Sequence, residues 1–141
     1  MEYKRYNNKL ILRIERGEEV MESIERLCQK EGIRLGSISG LGAADFIKVG
    51  LYNIHKKEYH QKTFEGEFEI TNITGNISQM NNSLYLHLHI TFSNDELRAF
   101  GGHLNELRIS ATAEIVIDII DGKSNRFNDD ETGLNLLCWN K

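Results

Sequence analysis

From Leu84 to Phe92 the chain reads Leu-Tyr-Leu-His-Leu-His-Ile-Thr-Phe, a strict alternation of apolar and polar side chains. Successive side chains of a β-strand point to opposite faces, so Leu84, Leu86, Leu88, Ile90 and Phe92 share one apolar face while Tyr85, His87, His89 and Thr91 share the other. A segment of this kind needs a core on one side and tolerates solvent on the other. It also makes His87 and His89 neighbours. Two imidazoles so placed can converge on one ion at the usual Zn–N distance of about 2.0 to 2.1 Å.

A third histidine, His103, follows the pair Gly101-Gly102, which reads as a turn that swings the chain back in a hairpin-like return. His87, His89 and His103 are therefore the candidate metal ligands. Three neutral imidazoles without a closing thiolate fit an open zinc site better than a closed structural one. Imidazole also suits iron, nickel and copper, so the expected cofactor is zinc or another divalent transition metal. The competing reading leaves His87 and His89 on a half-solvated strand face and His103 in a loop.

The rest of the chain supplies a sheet and one helix. Leu10, Leu12 and Ile14 alternate as a first strand. The period then changes: Val20, Ile24, Leu27 and Cys28 recur at helical spacing within Glu18 to Glu31, with acids in the first turn and Gly32 as a C-terminal stop. From Ile33 a strand runs into the small-residue stretch Gly36 to Asp45, whose glycines suit close backbone packing better than a phosphate cradle, because no helix follows. Phe46 to Asn53 and Glu58 to Phe64 read as short strands around a turn at His55-Lys56-Lys57, with His55 and His60 as surface histidines. Gly66 to Ile77 reads as a strand with Phe68, Ile70 and Ile73 inward and a bulge near Gly75. Gln79 to Ser83 is a polar turn, and Asn94-Asp95-Glu96 a turn or helical start.

Thr112 to Ile120 is apolar on both faces and predicts a central strand. Glu114 is the odd residue within it. A carboxylate there suits an acceptor for a ligand histidine or a general base beside the metal, against the plainer reading of a solvated position. Residues 121–133, with Arg126 and the acidic run Asp129-Asp130-Glu131, read as a solvated connector without calcium-loop spacing, and Leu134 to Trp139 as a last strand.

With 141 residues, no repeats and no linker, the chain predicts a single domain over residues 1–141. Its formal net charge of −4, with Lys56-Lys57 the longest basic run, argues against nucleic-acid binding through bulk charge. Cys28 and Cys138 have no Cys-x-x-Cys partner and read as reduced, buried small hydrophobes. No apolar run reaches signal or membrane-span length, so a cytoplasmic protein is expected.

The run Leu86-His87-Leu88-His89, followed by Gly101-Gly102-His103-Leu104, with Gly66-Glu67-Phe68-Glu69-Ile70 upstream and Ala113-Glu114-Ile115-Val116-Ile117 downstream, resembles the plant and prokaryote conserved (PPC) domain. The resemblance runs from Leu10 to Leu137. It implies a compact α/β domain built on a largely antiparallel mixed sheet, with one main amphipathic helix and flanking short helices, assembled as a homotrimer. In prokaryotic members it implies a metal site at the positions of His87, His89 and His103. In plant members the domain follows AT-hook segments that bind A·T-rich DNA, while the PPC part mediates self-association. This chain has no Arg-Gly-Arg-Pro segment and no proline at all. DNA association, as a regulatory protein, is therefore implied by family analogy alone.

Two functional readings stay open. One is a metal-binding protein, trimeric as the resemblance implies, whose open position takes a small-molecule or anionic ligand. The other is a zinc-dependent enzyme acting on a small molecule through a metal-bound water, whose pKa falls to about 7 on such a site.

Overall fold

A computed structural model of the chain describes residues 1–139. In chain order the elements are β1 (Glu2–Tyr6), β2 (Lys9–Glu15), α1 (Val20–Glu31), β3 (Gly36–Asn53), β4 (Glu58–Met80), β5 (Ser83–Ser93), β6 (Ala99–Ile119), β7 (Asn125–Asn128) and β8 (Asn135–Cys138). All eight strands join one sheet in the order β1-β2-β6-β3-β4-β7-β8, with β5 pairing both β4 and β6. Every pairing is antiparallel except that of β4 with β7, so the sheet is mixed and largely antiparallel, as expected. The flanking short helices implied by the resemblance are not found: α1 is the one helix among the described residues. It is also too short to cross a membrane.

The helix forms where its periodicity predicts, two residues shorter at its start. Glu19 is the N-cap, accepting from the backbone N–H of Glu22 at 2.7 Å and, through its other oxygen, from that of Leu107 on β6 at 2.9 Å. One carboxylate thus caps the helix and ties it to the sheet. Burial pushes the Glu19 carboxyl above the ordinary range. At the other end Gly32 adopts φ 67°, a left-handed conformation that stops the helix at little steric cost. Val20, Ile24, Leu27 and Cys28 are buried against the sheet with Leu10, Leu12 and Ile14 of β2 and Ala113, Ile115 and Ile117 of β6. Each fully buried Leu or Ile contributes roughly 1.5–3 kcal/mol. The Thr112–Ile120 pattern proves central as predicted, since β6 lies between β2 and β3.

Four long strands carry the site. β3 pairs β4, β4 pairs β5, β5 pairs β6 and β6 pairs β3, which closes a circuit of strands. The small-residue stretch Gly36 to Asp45 forms the first half of β3. It stays in the sheet through register shifts at Gly40/Gly42 and Ala44/Phe46. Gly101 and Gly102, expected as a turn, also lie inside a strand, opposite Thr91 and Ile90. The chain instead reverses at Asn94–Arg98, where the Asn94 side chain accepts from the Arg98 N–H at 3.0 Å. The β4–β5 turn narrows to Asn81-Asn82, both at positive φ, a hairpin geometry that asparagine tolerates. No bulge occurs at Gly75, which pairs regularly with Leu88; the β4–β5 irregularity falls at Ile70/Asn72.

Candidate metal centre

On β5 the predicted alternation holds. Leu88, Ile90 and Phe92 are buried, Leu84 and Leu86 pack at the core's margin, and Tyr85, His87, His89 and Thr91 face away. The register that brings in the third histidine is set from behind. Phe92 stands opposite Phe100, and these two rings, with Phe64 and Phe68, form a cluster with centroid separations of 5.1 to 6.2 Å. With Phe92 fixed on Phe100, His89 falls directly opposite His103 across β5 and β6. His103 therefore arrives by strand pairing rather than by a glycine turn.

The three rings lie 5.1, 5.2 and 5.4 Å apart between centroids. Nε2 of His87 is 3.3 Å from Nε2 of His89, and one nitrogen from each of the three rings falls within 4.8 Å of the others. Two nitrogens at about 2.05 Å from one tetrahedral ion are roughly 3.3 Å apart, so the His87–His89 spacing matches a shared ion. The electrostatics agree. Burial, with His103, Arg126 and His89 as nearby positive partners, pushes His87 down from 6.5 to about 4, and burial with His89 lowers His103. Both imidazoles are neutral at pH 7 and keep a lone pair for a metal. The donor set thus fits an all-nitrogen site with room for a further ligand.

Around the rings sits a shell that sequence reading missed. Arg126, expected in a solvated connector, is only 9% exposed. Its Nε donates to Ser78 Oγ at 2.8 Å, Nη1 to the Asn135 carbonyl at 2.7 Å and Nη2 to Asn76 Oδ1 at 2.9 Å; Nη2 also lies 3.4 Å from His87 Nδ1. The guanidinium stacks 4.8 Å from the centre of the Tyr85 ring. On the other side, Tyr59 meets His103 edge-on at 6.2 Å and donates its hydroxyl to Asn105 Oδ1 at 2.9 Å, while Asn105 donates to the His103 carbonyl at 3.3 Å.

Glu114 is not among these groups. It is exposed on β6 between Arg13 of β2 and Leu41 of β3, far along the strand from His103. His55 and His60 are exposed, as expected; His60 lies 3.7 Å from the Glu58 carboxylate. Asp129 is held by its own turn, accepting from Thr132 N–H and Oγ1 at 2.9 and 2.7 Å. Cys28 is buried and its thiol is pushed up to about 12, whereas Cys138 is only half-buried.

The model of the Plants and Prokaryotes Conserved (PCC) domain matches residues 1–121. No curated protein matches. Among solved structures, a candidate DNA-binding protein from Bacteroides thetaiotaomicron is 35% identical, covering 99% of this chain and 98% of its own, with a TM-score of 0.97. A plant- and prokaryote-conserved protein from Pyrococcus horikoshii is 31% identical over 99% and 95% of the two chains, with a TM-score of 0.85. A metal-containing protein from Archaeoglobus fulgidus is 28% identical over 98% and 97%, with a TM-score of 0.86.

Proposed function

This chain belongs to the PCC domain family, and on that premise we propose that it is a self-associating metal-binding protein whose His87, His89 and His103 hold zinc or another divalent transition metal. One coordination position stays open for a small anionic ligand. The observation that carries this reading is the direct opposition of His89 and His103, with His87 Nε2 at 3.3 Å from His89 Nε2. The metal-containing relative from Archaeoglobus fulgidus supports it. A zinc ion held by three imidazoles would polarise an oxygen ligand and lower the pKa of a bound water to about 7, which is the basis of the alternative reading as a zinc-dependent enzyme. Glu114, the general base that the alternative would use, lies elsewhere on β6.

Self-association as a homotrimer draws on the family resemblance and on exposed apolar side chains such as Leu41, Leu51 and Ile54. DNA association draws on family analogy and on the description of relatives such as the Bacteroides protein as DNA-binding. The net charge of −4 opposes a mechanism based on phosphate neutralisation, and retention of an A·T-rich duplex at low salt, lost as salt rises, is the result that would favour it.

Native mass spectrometry of protein purified without a histidine tag reads both main points together. The expected species has a mass near three times 16.2 kDa and one metal per chain. His87→Ala should keep the assembly and lose the metal. Equal metal in both proteins removes the site, and a monomer at every concentration removes the trimer.

A further inference from the structure

Arg126 is a buried cation whose hydrogen-bond partners among the described residues, Ser78, Asn76, Asn135 and His87, are all uncharged in their neutral forms. Burying a charge without an opposite one is costly, so its retention calls for a compensating gain. Holding His87 in place is not that gain. A histidine that ligates through one nitrogen donates its other N–H to an acceptor, and a guanidinium has only donors. If Arg126 donates to Nδ1, the neutral ring carries its proton on Nε2, the nitrogen that faces His89. If Nε2 ligates, Nδ1–H faces another donor. In both cases the contact opposes metal binding rather than helping it.

What the guanidinium brings is a fixed charge. It is delivered to the site by the one parallel pairing in the sheet, Gln79 with Asn125, and locked by three short hydrogen bonds and the Tyr85 ring. With a divalent ion on the three histidines, two positive centres share a partly buried site, and among the described residues none of the groups that touch Arg126 is a carboxylate. Charges in such a site are screened less by salt than exposed ones.

We propose that Arg126 makes the open metal position selective for anions, so that its ligand is a small carboxylate whose negative charge balances the ion and the guanidinium together. This rests on the metal reading of His87, His89 and His103. Arg126 is here a specificity-determining residue that acts through its charge.

The test uses full-length protein loaded with Co²⁺, whose visible absorption reports ligands entering the open position. Acetate is the anionic probe and imidazole the neutral one. Arg126→Gln should weaken acetate binding by about tenfold or more and leave imidazole nearly unchanged, while Arg126→Lys, which keeps the charge, should restore most of the acetate affinity. Equal acetate affinity in wild type and Arg126→Gln overturns the proposal. Should Arg126→Gln not fold, the wild type decides: the Arg126 Nε resonance should move with acetate and stay still with imidazole, and identical behaviour with both overturns the proposal. The metal reading fails separately and earlier, if wild type and His87→Ala take up Co²⁺ equally.

Discussion

His87 shows how one side chain's surroundings set its chemistry. It is half-buried, its neighbours are two imidazoles and a guanidinium, and its pKa falls from 6.5 to about 4, with burial the largest cause. The folded value lies below the unfolded one, so between about pH 4 and 6.5 the unfolded chain binds a proton that the folded chain does not. The stability that follows is intact above about pH 6.5 and is lost as pH falls toward 4. The same neutral form is the metal ligand, so metal should be retained at pH values where an ordinary histidine is already protonated. In chelator-treated protein, the ring protons of His87 should titrate with a midpoint well below 6.5. A midpoint near 6.5 would show that the ring is solvated and that the pocket described around it is wrong.

Among the elements, the contact between β4 and β5 matters most for the site. Gly75 lies opposite Leu88, and a Cβ at this position would run into the backbone carbonyl of His87. A backbone atom cannot rotate away, so Gly75→Ala must push β5 off β4 at the strand that holds two ligands. Such overpacking costs about 1–3 kcal/mol, and metal affinity should fall along with the melting temperature. A folded Gly75→Ala protein with wild-type metal affinity would mean that the strand spacing does not govern the rings. The elements also mark what a single sequence discloses. Helix α1 and strands β2 and β5 were legible because Ile24, Leu12 and Leu88 repeat at short-range periods that local geometry enforces. The full length of β3 and β6 was not, because Gly40-Leu41-Gly42 and Gly101-Gly102 have the composition of turns, and only pairing with distant strands keeps them extended. His87 and His89 could be read as a pair from their spacing, and His103 from its nearness in sequence. Arg126 gave no such signal. Its segment is as polar as any solvated loop, and one long-range pairing with β4 brings it to the rings.

At the scale of the whole molecule, the ligands sit where the closed circuit of β3, β4, β5 and β6 could most easily open. β5 is bound to β6 only from His89–His103 to Ser93–Ala99, so the imidazole cluster lies at the last rung of that ladder. An ion shared by His87 and His89 of β5 and His103 of β6 would act as a clamp across the rung. Because the unfolded chain does not hold three imidazoles together, the metal binds the folded state in preference and stabilises it by mass action, about 2.7 kcal/mol at free metal a hundredfold above its dissociation constant. For a domain of this size that corresponds to roughly 10 °C in melting temperature. The comparison must be made at one protein concentration, since self-association would itself make the transition concentration-dependent. Under that condition zinc should raise the melting temperature of chelator-treated wild type, and His87→Ala should show little or no rise. Wild type that melts at the same temperature with and without metal would mean that the three rings, though gathered at one end of the ladder, do not bind it together.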